Sequence, residues 1–464
     1  MRYVSTRGGA GADFAGVLLG GPAPDGGLYL PEEWPLFKPM DIRAFAVQPY
    51  AEAAFRIMRP FVGDAFTDQE FGDDVETAYA GFSHPAVAPL VQVGAGRFLL
   101  QLFHGPTLAF KDVAMQLLGR LFDRALKKRV SRATVIVATS GDTGSAAIAA
   151  LKGRENVDVV VLHPKGRVSE VQRRQMTTVL DSNVHNIALE GTFDDTQSIV
   201  KALFADRECA AAANLTAVNS INFARIMAQC VYYFTAAASL GAGHGAATTF
   251  VVPTGNFGDV FAGEAAWRMR LPVTKLVVAT NANDILARAL TEGVYAAGEA
   301  QATLSPSMDI QVASNFERAL FEASGRDEAW TAQAMRDFAA TRRLTIAPQV
   351  LESLQARYVA DAADDEETLA AIARTYGESG IMVDPHTAVA IAVADKFQPP
   401  PGPTVILSTA HPAKFPEAVE RATGRRPELP PQLSDLMARE ERFTVLPNSA
   451  AAVRDFVIKR ARAA

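Results

Sequence analysis

The chain has 464 residues, 49% hydrophobic and 21% charged, enough for about three domains with a sizeable core, which excludes a single small module, a disordered chain and a disulfide scaffold. Lys and Arg number 45 against 51 Asp and Glu, a net charge of -6 with no basic tail, which argues against a nucleic-acid partner. The two cysteines, Cys209 and Cys230, give neither a disulfide framework nor paired metal-ligand spacing, so no metal is expected and a reducing cytoplasm is.

The opening residues, Met1 to Arg7, carry no apolar signal core, so the start reads as mature protein. Residues 1 to about 90 are rich in Gly, Pro and aromatic residues and read as a separate N-terminal domain. A helix is expected to begin near Lys111, because Ala114, Leu117, Leu118, Leu121, Phe122 and Ala125 recur at helical spacing before the cationic Lys127-Lys128-Arg129. Apolar runs then alternate with helical patterns: Thr134 to Ala138, Gly144 to Leu151, Val157 to Leu162, Val168 to Leu180 and Val184 to Leu189. Such alternation implies a parallel sheet, and with the capped segment from Thr192 to Asp206 it sets a small α/β domain at 126–206.

The longest uncharged stretch, Ile226 to Gly258, is divided by Gly241, Gly243, His244 and Gly245, so it reads as buried helix, loop and strand rather than a membrane span. A second alternation follows, with strands at Thr249 to Val252 and Leu276 to Ala279 around a helix at Val260 to Met269. Residues 310–378 read as a mainly helical, charged insertion, after which Thr404 to Leu407 resumes the strand pattern. The large α/β domain is therefore assigned to 91–125 and 207–420. The Pro399-Pro400-Pro401 run reads as a turn or linker and 421–464 as a tail ending in a surface helix. The fold class is α/β with two open doubly wound sheets.

Ligands of doubly wound sheets bind at the carboxyl ends of strands, where three turns stand out. Thr139-Ser140-Gly141-Asp142-Thr143-Gly144-Ser145 offers hydroxyls and N–H groups at a helix start, suited to a carboxylate or phosphate, or to a capped tight turn. Pro253-Thr254-Gly255-Asn256-Phe257-Gly258-Asp259 offers a Gly-rich anion loop. It lacks the dinucleotide G-x-G-x-x-G spacing, and the chain contains no Gly-Lys dipeptide for a Walker A loop, which disfavours NAD and NTP. Leu407-Ser408-Thr409-Ala410-His411-Pro412 is the third and weakest. In Phe103-His104-Gly105-Pro106-Thr107-Leu108-Ala109-Phe110-Lys111-Asp112, one lysine sits at a helix start among apolar neighbours, a setting that lowers an amine's pKa and suits Schiff-base chemistry.

The Lys111 segment, the Ser140 to Thr143 turn and the Gly255 to Asp259 loop, in that order, resemble fold-type-II pyridoxal-phosphate enzymes, and within them the threonine synthase family. Asp25-Gly26-Gly27-Leu28-Tyr29, Asn219-Ser220-Ile221-Asn222-Phe223-Ala224-Arg225-Ile226, Asp384-Pro385-His386-Thr387-Ala388 and Ser408-Thr409-Ala410-His411-Pro412-Ala413-Lys414-Phe415 look like further landmarks of that family. Seven motifs in the family's order, from residue 25 to residue 415, are far more specific than any one.

The resemblance implies pyridoxal 5'-phosphate as cofactor, with Lys111 as the Schiff-base lysine and shuttling base. Gly255, Asn256, Phe257, Gly258 and Asp259 would form the loop around the cofactor phosphate, and Thr409 would partner its ring nitrogen. Ser140, Gly141, Asp142 and Thr143 would hold the amino-acid substrate, and Ser220, Asn222 and Arg225 its phosphate. For Arg225, a surface ion pair is the alternative. His104, His386 and His411 are expected to make structural hydrogen bonds. The activity implied is conversion of O-phospho-L-homoserine and water to L-threonine and phosphate in a cytoplasmic monomer or homodimer. A dehydratase or phospho-lyase releasing a 2-oxo acid is the nearest alternative, and a non-catalytic descendant is disfavoured because Lys111 is present.

Overall fold

A computed structural model describes residues 1–218, 220–398 and 400–462. Asn219 and Pro399, each inside a stretch singled out in the sequence, lie outside the described residues. In chain order, the elements that build the site are β1 (Leu90–Gly94), β2 (Arg97–Gln101), α1 (Lys111–Lys128), β3 (Ala133–Ala138), α2 (Asp142–Leu151), β4 (Val157–Pro164), α3 (Glu170–Thr177), β5 (Val184–Glu190), α4 (Phe193–Ala205) and β6 (Leu215–Thr216). They continue with α5 (Phe223–Ser239), β7 (Thr248–Pro253), α6 (Gly258–Arg268), β8 (Val273–Thr280), β9 (Tyr358–Ala362), α7 (Pro385–Lys396), β10 (Thr404–Ser408), β11 (Thr444–Pro447) and α8 (Ala450–Arg460).

The large sheet runs β9-β8-β7-β10-β2-β1 and the small one β11-β5-β4-β3-β6. Every pairing is parallel except β1 with β2. β4 and β7 are buried along their whole length, as near-continuous Val, Phe and Leu runs require when helices cover both faces of a parallel sheet. The start of α4 follows the capping chemistry expected of it, since Thr192 Oγ1 accepts from Asp195 N at 3.2 Å while Asp195 Oδ2 accepts from Thr192 N at 2.7 Å.

The structure departs from the sequence reading in three places. Residues 310–378 do hold helices, among them Phe316–Ala323 and Asp365–Ser379, but also β9, which pairs with β8 at the edge of the large sheet. Its Tyr-Val-Ala-Asp-Ala run is too short to stand out between helical flanks. The N-terminal region packs into the same apolar cluster as the large domain, with Tyr3 5.3 Å from Phe223 ring to ring. The C-terminal segment returns to the small sheet, adding β11 beside β5 and burying Val453 and Val457 of α8 against Ile199 and Leu203. Among the described residues, no helix is long and apolar enough to cross a membrane.

Candidate active site

The carboxyl ends of β3, β7 and β10 and the start of α1 converge on one cavity of about 430 Å³, lined by Lys111, Thr143, Ser220, Arg225, Gly255 to Asp259, Ser307, His386 and Thr409. This is where open α/β sheets place ligands. Lys111 opens α1, and the turn before it is held by a buried carboxyl: Asp112 accepts from Thr107 N and Thr107 Oγ1, both at 2.8 Å. Burial raises Asp112 to about 6.

Lys111 is buried, with Nζ 3.4 Å from Asp142 Oδ2 and 4.8 Å from the centre of the Phe110 ring. Burial pulls its pKa below the ordinary lysine value, Asp142 opposes that pull, and the positive charges of Lys414 and Arg225 add to it. An amine that gives up its proton more readily has more of its neutral, nucleophilic form at neutral pH.

Asp142, the first residue of α2, is enclosed by partners. Burial alone would raise its pKa, but Lys414 at 3.0 Å and Lys111 hold it well below the usual carboxylate range. Gln172 Nε2 donates to it at 3.0 Å and Ser307 Oγ at 3.3 Å. Thr139 Oγ1 accepts from Gly141 N and Gly144 N, each at 2.9 Å, so the turn is stapled from within, and Thr143 is its residue on the cavity wall.

The loop after β7 is built to approach an anion. Phe257 caps α6 with φ 65°, in the left-handed region that a non-glycine residue adopts only when its surroundings enforce it. A Cβ on Gly255 would lie 2.7 Å from Ser307 O. Asn315 braces the loop by donating to Asn256 O at 3.0 Å and Ser220 O at 3.1 Å. Asn315 is in turn gripped by the fully buried Arg318, which also donates to Tyr29 O and Ile221 O.

Two buried polar atoms on this wall, Arg225 Nε and Asp259 Oδ2, have no hydrogen-bond partner among the described residues. Burial lowers Arg225 to about 10 and raises Asp259 to about 7, the latter although Tyr232 and Tyr233 donate to Oδ1. A guanidinium left unsatisfied beside the open N–H groups of a helix start fits a phosphate. The residues present therefore fit an anionic, aldehyde-bearing cofactor beside Lys111.

The structure thus brings Lys111, Thr143, Ser220, Arg225, the 255–259 loop and Thr409 to one cavity. Asn222 is placed otherwise: it caps α5, its Oδ1 accepting from Ala224 N at 3.0 Å and its Nδ2 donating to Leu18 O at 2.8 Å. Asp142 faces two lysines. The three histidines make structural bonds, His104 to Gln101, His411 to Ala413 N and His386 to Asp384 and Ser307 N. Burial lowers His104 and His411 to about 4. Sequence reasoning missed Ser307 and Gln197 and Lys201 on α4, which also line the cavity, and it gave Lys414 no role. A buried lysine within a quoted motif was the one signal available.

Comparison with known proteins gives a consistent picture. The family description "Pyridoxal-phosphate dependent enzyme" matches residues 85–357, "Threonine synthase N terminus" matches 2–79 and "Threonine synthase, C-terminal" matches 387–457. The chain is 52% identical to threonine synthase of Pseudomonas aeruginosa over 460 residues, covering 98% of each chain. It is 40% identical to that of Methylobacillus glycogenes, covering 99% of this chain and all of the relative. The crystal structure of PLP-bound threonine synthase from Brucella melitensis superposes with a TM-score of 0.98 at 51% identity, covering 100% of both chains.

Proposed function

The chain belongs to the threonine synthase family, and from that premise we propose that Lys111 is the amine that carries pyridoxal 5'-phosphate in the cavity described above. The reaction is that of a threonine synthase: O-phospho-L-homoserine and water give L-threonine and phosphate. One observation carries the assignment of the site. A buried amine with a lowered pKa shares its cavity with a helix-start loop and a guanidinium whose Nε has no partner among the described residues, which suits an aldehyde and phosphates at once.

The cofactor, when bound, supplies an electron sink for charge that develops on the substrate carbons. Gly255, Asn256, Phe257, Gly258 and Asp259 would hold its phosphate, and Thr409 would be the hydroxyl partner of its ring nitrogen. A hydroxyl there would not keep that nitrogen protonated as a carboxylate would, which would leave more of the proton work to Lys111. Lys111 Nζ takes the proton from the substrate α carbon and then helps remove one from the β carbon. Phosphate leaves from the γ carbon, which then takes up a proton; water adds its hydroxyl at the β carbon, and a proton returns to the α carbon before threonine is released. Ser140, Gly141 and Thr143 orient the amino acid, while Ser220 and Arg225 receive its phosphate, Arg225 with a planar fork suited to two oxygens. Asn222 is not among the ligand groups, because its side chain is occupied in capping α5.

Residues 126–206, with β6 and the C-terminal β11 and α8, form the small unit, and 91–125 with the rest of 207–420 the large one. The small unit closes over substrate and keeps water out until the β carbon is ready. A substrate-bound form that superposes on the free form without rotation of the small unit would remove this closure. A reducing compartment suits the buried free thiols of Cys209 and Cys230.

The test of the site is spectroscopic and then chemical. Full-length protein with pyridoxal phosphate is expected to absorb in the visible and to be trapped by borohydride, and Lys111→Ala is expected to do neither. Given O-phosphohomoserine, the wild type is expected to yield threonine and phosphate in equal amounts. Release of 2-oxobutyrate instead would identify a phospho-lyase, and a colourless wild type would remove Lys111 from the cofactor.

A further inference from the structure

Lys414 ends a short turn, Pro412–Lys414, just beyond β10. Its side chain is completely buried, a costly place for an ammonium group unless every N–H is matched. All three are matched. Nζ donates to Thr107 O at 2.6 Å and to Gln175 Oε1 at 2.9 Å, and lies 3.0 Å from Asp142 Oδ1. These partners come from the loop before Lys111, from α3 and from the start of α2, so one side chain ties three separate stretches together.

The second oxygen of Asp142 faces Lys111 Nζ at 3.4 Å. One buried carboxylate is therefore shared between two buried lysines, an arrangement with one positive charge too many while both are protonated. We propose that Lys414 is a positioning residue for Lys111, holding Asp142 ionised through Oδ1 and leaving Lys111 as the lysine that gives up its proton. Once Lys111 is neutral, Asp142 and Lys414 remain as a balanced pair and no charge is stranded. Without Lys414, Asp142 would have Lys111 as its sole close cation, and Lys111 would be held protonated.

Other charges face this group and are held constant in the comparison. Arg225 acts on Lys111 in the same direction as Lys414 and Asp142 opposes them, while Asp259 is near enough to feel Lys111. His386 faces Asp142, and Asp112 faces Lys414.

The inference deepens the reading of Lys111 as the cofactor-bearing amine and rests on it. The experiment follows capture of pyridoxal phosphate by full-length, cofactor-stripped protein from neutral to alkaline pH, read as growth of visible absorbance. In that step the neutral amine nitrogen bonds to the aldehyde carbon and the aldehyde oxygen leaves as water, so the rate reports the fraction of Lys111 that is unprotonated. Borohydride reduction and peptide mapping show which lysine is labelled.

Lys414→Met is expected to move the pH midpoint of capture up by about one unit, which is about tenfold slower capture at neutral pH. Lys414→Arg is expected to bring the midpoint back toward the wild type, since it restores the charge. A Lys414→Met protein that melts earlier but keeps the wild-type midpoint would overturn the proposal, because a mere strut changes stability and not titration. Should that variant fail to fold, Asp142→Asn supplies the test: removing the carboxylate is expected to lower the midpoint, and an unchanged midpoint overturns the proposal. Failure of the underlying reading is distinguishable, because then the wild-type label is not on Lys111.

Discussion

Asp259 illustrates how far burial alone shifts a side chain. Its Oδ1 accepts from two tyrosines, yet Oδ2 has no partner among the described residues, and desolvation raises the group from 3.8 to about 7. In the unfolded chain the proton leaves near 3.8, and in the folded protein near 7. Between those values the native state holds a proton that the unfolded state has lost, so stability falls as pH rises through the window and the deficit is constant above it. Asp259→Asn has no such proton. Melting of cofactor-free protein is therefore expected to show the variant gaining on the wild type from about pH 4 to about pH 7, and parallel melting curves against pH would contradict the raised pKa. Single residues were unevenly legible in the sequence. Lys111 announced itself through apolar neighbours at a helix start. Lys414 did not, because what makes it unusual is contact with Thr107, Asp142 and Gln175, all distant in sequence. Asn222 shows the reverse, since Asn suits both a cap through Oδ1 and a phosphate through Nδ2, and only the structure shows Oδ1 accepting from Ala224 N and Nδ2 donating to Leu18 O.

At the scale of elements, the β7-loop-α6 unit was the most readable part of the site. The buried Thr-Thr-Phe-Val-Val-Pro strand and the glycines after it define where an anion-binding helix start must lie. What holds that loop in shape was not readable, because Asn315 and Arg318 brace it from about 60 residues downstream. The bracing leaves no slack at Gly255. A methyl there would lie 2.7 Å from Ser307 O, a backbone atom that cannot rotate away, so Gly255→Ala must displace either the loop or the 305–309 segment. Cofactor affinity is expected to fall by at least about tenfold, or about 1.4 kcal/mol, with little change in melting of the cofactor-free protein. Equilibrium titration with pyridoxal phosphate measures this. Wild-type affinity would mean that the phosphate does not rest on this loop.

For the whole molecule, the least legible feature was where the chain's two ends go. Local patterns mark strands and helices but carry no address, and β11 is a four-residue Thr-Val-Leu-Pro run that reads equally well as loop. In the folded chain it pairs with β5, and α8 lays Val453 and Val457, both fully buried, against Ile199, Leu203 and Cys209. The small sheet is thereby completed by residues more than 200 positions downstream, and Arg454 ties the same helix to Asp206 at 2.8 Å. If α8 is core of the small unit and not a surface helix, emptying its buried face should unfold that unit first. Replacing Val453 and Val457 together by Ala is expected to cost about 3 kcal/mol in urea unfolding. Amide exchange should quicken along β3, β4 and β5 and stay slow along β7 and β8, because Val453 and Val457 pack with Ile136, Val160, Leu162, Ile187 and Leu189 in a cluster that no residue of β7 or β8 joins. A loss below about 0.5 kcal/mol, as surface substitutions give, would return the C-terminal segment to the status of an appended tail.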